Sequence, residues 1–303
     1  MTRSIGHGWG VVMVGAGLLL LAGSIIAAPG PGQQDPDPGA GRLRRPLVIG
    51  HAGSGFFHLF NPLPPSSLRS IARALRQGAD GVEVDVRLSQ DSIPVLYHDH
   101  TLDSMTDGQG CVSQTTAAVL TRLPYRGGWP HDWLQHEHVI TLEMLLAHLA
   151  RRGEFPYLHL DLHEDDACSS ADATRSRVLA RRLQQLLTRY QVPAERLLIL
   201  TTQVATLNYL HDLLPTVPLG LEMTGDFEKE LDRLRHLPSV QAAVVHKDNI
   251  SPERSARIHA LGRAVVVFGG RSAKAVRRVV ATSPDAYEVD NVRQLRAMLR
   301  RQL

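Results

Sequence analysis

The chain has 303 residues, 43% of them hydrophobic, and a formal net charge of +3 from 33 basic and 30 acidic side chains. So close a balance excludes a strong polyanion footprint, and no nucleic-acid partner is expected. The two cysteines lack metal-ligand spacing, which excludes a cysteine-based zinc site.

In chain order, the first feature is an uncharged run from Gly8 to Ala28, preceded by Arg3. It is close to the ~20 residues that span a bilayer, and Ile26-Ala27-Ala28 is a passable small-residue cleavage end. Residues 1–28 are expected to be a signal peptide or an N-terminal membrane anchor. That places the rest outside the cytoplasm: secreted, periplasmic or in the cell envelope. Residues 29–45, rich in Gly, Pro, Asp and Gln, read as a flexible linker. Residues 46–303 match one α/β barrel domain of about 250 residues.

The apolar run 46–50 ends at His51, which opens the loop Ala52-Gly53-Ser54-Gly55. A histidine at the carboxyl end of a parallel strand is where such barrels place catalytic groups. Phe56-Phe57-His58-Leu59-Phe60 follows, an aromatic lip suited either to acyl chains or to packing the loop onto the barrel. The next strand, 81–86, carries Glu83 and Asp85 two apart, so both carboxylates leave one face. Side by side they repel and need a counter-cation, and hard oxygen donors suit Ca2+ or Mg2+. The chain turns at Gln90-Asp91-Ser92 and returns through an apolar arm, 94–97, bringing His98 level with the carboxylates. A titratable imidazole beside a cation points to hydrolysis of a charged substrate.

Cys111 and Cys168 fall in loops on the active-site rim, and two readings stay open for them: a disulfide, if the compartment is oxidising, or two free thiols. His131, His136 and His138 lie in a polar loop and read as surface residues. The strand 157–162 alternates strictly, sending Leu158, Leu160 and Leu162 outward and His159, Asp161 and His163 inward. An inward face of that polarity needs partners or a metal. Strands at 197–201, 217–222, 242–246, 264–268 and 286–289 bring the total to eight, with amphipathic segments between them. Val178, Leu179, Leu183, Leu186 and Leu187 keep helical spacing, as do Val292, Leu295, Met298 and Leu299. The arginines around that last set read as a solvated outer face. The expected fold is an α/β TIM (β/α)8 barrel with an extra hairpin arm after the second strand.

Four segments carry a family resemblance: HAGSG at 51–55, GADGVEVDVRLSQDSIPVLYHDHTLD at 78–103, LHLDLH at 158–163 and DAYEVDNVRQLRAML at 285–299. From about Leu47 to Leu303 the chain resembles the glycerophosphodiester phosphodiesterase family. The resemblance implies metal-dependent hydrolysis of glycerophosphodiesters to glycerol 3-phosphate and an alcohol. It implies His51 and His98 as general acid and base, and Glu83, Asp85 and Asp161 as holders of one divalent metal ion, Ca2+ or Mg2+. Asp290 matches the family's terminal-strand aspartate and reads as a structural group.

Three departures stand out. The family has arginine after its first histidine, where this chain has Ala52. Its third carboxylate is glutamate followed two residues later by lysine, where this chain has Asp161 and His163. Phe268-Gly269-Gly270 replaces a tryptophan-containing segment of the substrate wall. Each missing cationic contact is worth roughly 1.5–3 kcal/mol, and His163, Lys247 and Arg271 are the candidates to bind the phosphate instead. The expected partner is a small-molecule or lipid phosphodiester, and a membrane through the N-terminal segment if that is uncleaved. Two alternatives stay open: phospholipase-D-like cleavage of lysophospholipids or sphingolipids, and a non-catalytic binding protein on a degenerate barrel.

Overall fold

The computed structural model describes residues 45–166, 168 and 173–301. The expected signal peptide or anchor and nearly all of the linker lie outside the described residues. Among those described, no helix is long and apolar enough to cross a membrane.

Strands β1 (Leu47–Gly50) and β2 (Gly81–Leu88) are followed by two short antiparallel strands, β3 (Pro94–Leu96) and β4 (Ile140–Thr141). Six more run parallel: β5 (Tyr157–Leu162), β6 (Leu197–Thr201), β7 (Leu219–Met223), β8 (Ala242–His246), β9 (Ala264–Phe268) and β10 (Ala286–Val289). β10 pairs with β1, and β1 with β2, so eight parallel strands close on themselves. The helices between them are α1 (Leu68–Arg76), α2 (Ala117–Leu120), α3 (His131–Leu134), α4 (Leu142–Ala150), α5 (Ala173–Arg189) and α6 (Val204–Leu213). α7 (Phe227–Arg235), α8 (Pro252–His259), α9 (Ala273–Val280) and α10 (Val292–Leu299) complete the ring. This is the expected barrel.

Period-two alternation builds two apolar layers. Leu158, Leu160 and Leu162 of β5 join Leu179, Leu183 and Leu187 of α5 in the layer between sheet and helices. Inside the barrel, Ile49, Leu198, Leu200, Ala242, Val244, Val266 and Ala286 pack together. Each buried Val, Leu or Ile among them contributes roughly 1.5–3 kcal/mol. Side chains at Ser67, Asp226, Ser251 and Ser272 accept N–H groups of the next helical turn and set where α1, α7, α8 and α9 begin.

Element bounds differ from expectation where pairing overrides pattern. β2 runs on to Leu88 because Arg87 and Leu88 pair with Val95 and Pro94 of β3. β7 starts at Leu219, not 217, because the Val217 N–H turns back to the Leu214 carbonyl (3.0 Å) and Pro218 has no N–H to give. β4 was not anticipated; two residues carry no readable alternation.

The segment after β3 has its own small core of Val95, Tyr97, Leu102, Met105, Val112, Leu120, Tyr125 and Val139. His131 is not a free surface residue. Its ring packs at a tilt against Phe57 (5.6 Å), with its nitrogens 3.1 Å from the Gly127 carbonyl and 3.0 Å from that of His58. Cys111 and Cys168 form a disulfide, which ties this segment to the loop after β5. With the cysteines 57 positions apart in sequence, chain entropy makes that bond worth up to about 4 kcal/mol. Cys168→Ser breaks it at an exposed position, and urea unfolding is expected to show a loss approaching that size. An unchanged midpoint would mean that the bond contributes nothing.

Candidate active site

The carboxyl ends of β1, β2 and β5 meet at one mouth of the barrel. The β2–β5 register sets Glu83 against His159 and Asp85 against Asp161. One oxygen from each of Glu83, Asp85 and Asp161 lies within 4.8 Å of the others. Glu83 Oε2 accepts the Ala52 N–H at 2.6 Å, whereas its Oε1 is buried without a hydrogen-bond partner. Asp85 Oδ2 accepts the Ser66 hydroxyl (3.1 Å), and its Oδ1 faces His163 Nε2 at 3.1 Å. The same nitrogen lies 3.4 Å from Asp161 Oδ2.

The electrostatics follow from this crowding. Burial, then the charges of Asp85, Glu288 and Asp161, push the Glu83 carboxyl well above its ordinary range. Burial raises Asp161 as well, with Asp85 adding to it against the pull of His163. Burial opposes charge on Asp85 too, but the His163 hydrogen bond and charge overcome it and hold that carboxyl low. His163 is the counterpart: burial works against its charge, yet Asp161 and Asp85 push the imidazole up to about 10. Three clustered carboxylates, one oxygen of them orphaned, outnumber a single imidazolium. They fit a divalent cation with hard oxygen ligands.

Two histidines flank this cluster. His51 Nδ1 lies 2.8 Å from Asp290 Oδ1, and Asp290 Oδ2 accepts Arg271 Nε at 3.0 Å. Gly55 permits that contact, because at φ +81° a Cβ there would stand 2.6 Å from the Cβ of Asp290. His98 Nδ1 lies 2.6 Å from Asp99 Oδ1. In both rings a carboxylate holds Nδ1 and leaves Nε2 for chemistry. Phe56 packs between them, its ring centre 5.6 Å from that of His51 and 5.0 Å, edge-on, from that of His98. The His98 and His163 rings are 4.9 Å apart. Buried Arg87 ties the loops together by donating to the carbonyls of His98 (2.8 Å), His163 (3.3 Å) and Asp165 (2.8 Å).

Burial disfavours charge on His51, but the Asp290 hydrogen bond and charge, helped by Asp85 and Glu288, hold its pKa above the ordinary value. Removing the Asp290 charge lowers that pKa. Asp290→Asn is therefore expected to shift the alkaline limb of the kcat/KM profile to lower pH. A limb that stays in place would separate His51 from the titration.

The five residues His51, Glu83, Asp85, His98 and Asp161 thus come together, with His163 among them. Arg271 reaches the group through Asp290. Lys247 sits on the rim paired with Asp248, which also meets Arg278 (3.3 Å), so its ammonium is committed outside the cluster. Sequence reasoning missed Glu222 on β7, which burial and Asp161 push up to about 7. The alternation Leu219-Gly220-Leu221-Glu222-Met223 carries the signal that it faces inward. Also missed was Glu288, whose Oε1 lies 2.5 Å from His159 Nδ1 beneath the cluster and satisfies that inward histidine.

Residues 56–294 match the family model described as the Glycerophosphoryl diester phosphodiesterase family. The chain belongs to this family. It is 41% identical over 88 residues to a Mycobacterium tuberculosis protein named "Probable glycerophosphodiester phosphodiesterase 1", covering 29% of this chain and 30% of that one. The chain thus spans under a third of that relative's length. Against the Bacillus altitudinis glycerophosphodiester phosphodiesterase it is 23% identical over 237 residues, 75% of this chain and 89% of that one. An Oleispira antarctica phosphodiesterase, solved with the product sn-glycerol-3-phosphate, superposes with a TM-score of 0.71 at 25% identity, covering 84% and 97% of the two chains.

Within this glycerophosphoryl diester phosphodiesterase barrel, two points need geometry rather than the family match. The matched range begins at Phe56, so His51 enters the site through its contacts with Asp290 and Phe56. Ala52 is fully buried at φ +43°. Its N–H serves Glu83, and its carbonyl accepts the Ser66 N–H (2.9 Å) and the Ser70 hydroxyl (3.1 Å). The backbone at this position builds the site, while its methyl group cannot reach a phosphate.

Proposed function

We propose that the protein is a phosphoric diester hydrolase that cleaves glycerophosphodiesters to glycerol 3-phosphate and an alcohol. One observation carries this reading: two imidazoles, each oriented by its own carboxylate, flank a three-carboxylate cluster with an orphaned buried oxygen. Glu83, Asp85 and Asp161 would hold one Ca2+ or Mg2+, which neutralises charge on the non-bridging phosphate oxygens. His51, kept protonated by Asp290, donates its Nε2 proton to the leaving oxygen. His98, with Nδ1–H directed at Asp99, accepts a proton at Nε2 from the attacking hydroxyl or water. His163 takes the place of the missing phosphate cation, and Arg271 adds charge from the His51 side.

The disulfide supports a secreted or envelope location, since such bonds persist in oxidising compartments.

The test is incubation of the full chain with glycerophosphocholine and Mg2+ or Ca2+, with products separated by chromatography. Glycerol 3-phosphate and choline are expected, and EDTA should stop their release. Glycerol and phosphocholine would overturn the assigned bond. No turnover on any phosphodiester, with metal bound, would favour a binding role.

A further inference from the structure

We propose that the rim formed by Leu59, Phe60, Trp129, Trp133 and Leu134 docks the mouth of the barrel onto a lipid bilayer. These large apolar side chains are 77%, 79%, 80%, 79% and 57% exposed, respectively. They come from two segments distant in sequence that are locked together. His131 Nε2 lies 3.0 Å from the His58 carbonyl, and its ring packs at a tilt against Phe57. A Cβ at Gly127 would stand 2.7 Å from the Phe57 ring, so the seam is tight.

The tip is ordered. His58 and Asn61 exchange both backbone hydrogen bonds (3.2 and 2.8 Å). Asn61 Nδ2 donates toward the carbonyls of Ser54, Gly55 and Phe56 at 3.0–3.2 Å. Leu59 and Phe60 therefore project from a braced turn. Five exposed large apolar side chains on two joined segments mark an interaction site.

Three observations favour a bilayer as the occupant. The side chains protrude, whereas a single acyl chain or a docked peptide needs an enclosing groove. Tryptophan, phenylalanine and leucine beside cations are the composition of interfacial membrane contacts. Arg73 reaches the tip by donating to the neutral Asn61 Oδ1 (3.0 Å), whereas Arg126, next to Gly127, is already held by Asp107 (3.0 Å). Burial, then Arg271 and Arg73 against the opposing charge of Asp290, holds the His58 imidazole below its ordinary value, and the Arg73 guanidinium at the tip suits anionic head groups. Phe56 connects this rim to both His51 and His98, so docking sets the bilayer beside the phosphodiester-cleaving groups. The uncharged run Gly8–Ala28 in the sequence points to the same neighbour.

The chain has three tryptophans, so Trp9→Phe, with excitation selective for tryptophan, leaves Trp129 and Trp133 as the only tryptophan emitters. This full-length variant is mixed with phosphatidylcholine–phosphatidylglycerol vesicles, with or without brominated acyl chains. A blue-shifted emission, quenched at least twofold by the brominated lipid, is expected. Adding Leu59→Ser and Phe60→Ser should weaken the quenching while leaving glycerophosphocholine turnover unchanged. Co-sedimentation with vesicles but no quenching would assign membrane binding to the N-terminal run alone and overturn the docking surface. So would a dimer, seen by light scattering, that the double serine variant dissolves. Quenching is read without turnover, so failure of bilayer docking and failure of the hydrolase reading are distinguishable.

Discussion

Alanine at His98 is expected to lower kcat for glycerophosphodiester hydrolysis by two to four orders of magnitude, the usual contribution of a positioned acid or base. The side chain is 40% exposed and its hydrogen bond is to the adjacent Asp99. Its removal therefore leaves no cavity in the core, and circular dichroism and melting should be unchanged. His51→Ala should cost as much in kcat, with some added instability. That second variant strips a partner from Asp290, which burial already disfavours as a charge and which Arg271 alone would then compensate. The pair separates chemistry from folding. Turnover unaltered in both variants would sink the acid–base assignment.

The second large effect concerns the carboxylate cluster. Mg2+ or Ca2+ at about 100 times its Kd should add about 2.7 kcal/mol of stability, a rise in melting temperature of about 5–10 °C for a domain of this size. Glu83→Gln or Asp161→Asn should abolish both that rise and the activity. The metal-free proteins should respond in the opposite sense. Glu83 is buried against like charges that raise its pKa, so glutamine there removes repulsion and should leave the metal-free barrel as stable or more so. Stability from a carboxyl with a raised pKa is present below its unfolded value and lost as pH rises through its folded one. The gain from glutamine should therefore grow toward alkaline pH. A metal-induced shift that survives both substitutions would place the cation elsewhere.

Much of the site is legible without coordinates because strand geometry is local. Glu83 and Asp85 share a face by period two alone. His51 closes an apolar run, and the turn at Gln90-Asp91-Ser92 returns His98 to the level of Asp85, where the Tyr97 N–H meets the Asp85 carbonyl at 3.1 Å. Asp161 and His163 follow from the alternation of β5. The departures at Ala52, Asp161 and His163 are equally plain in the sequence, although what replaces the lost cations is not.

The partners that give these groups their chemistry come from far along the chain. Asp290 reaches His51 across 239 residues, and Glu288 reaches His159 across 129. Both contacts exist only because β10 closes onto β1. The Cys111–Cys168 bond requires Cα atoms brought to 6.2 Å, and spacing alone left that pairing open. The same holds for Arg271, placed on the rim by a strand end but committed to Asp290 by the loop around it. Periodicity along one strand determined which side chains face the barrel axis. Register and closure among strands decided which of them meet, because hydrogen-bonded pairing between distant segments leaves no trace in either segment's own pattern.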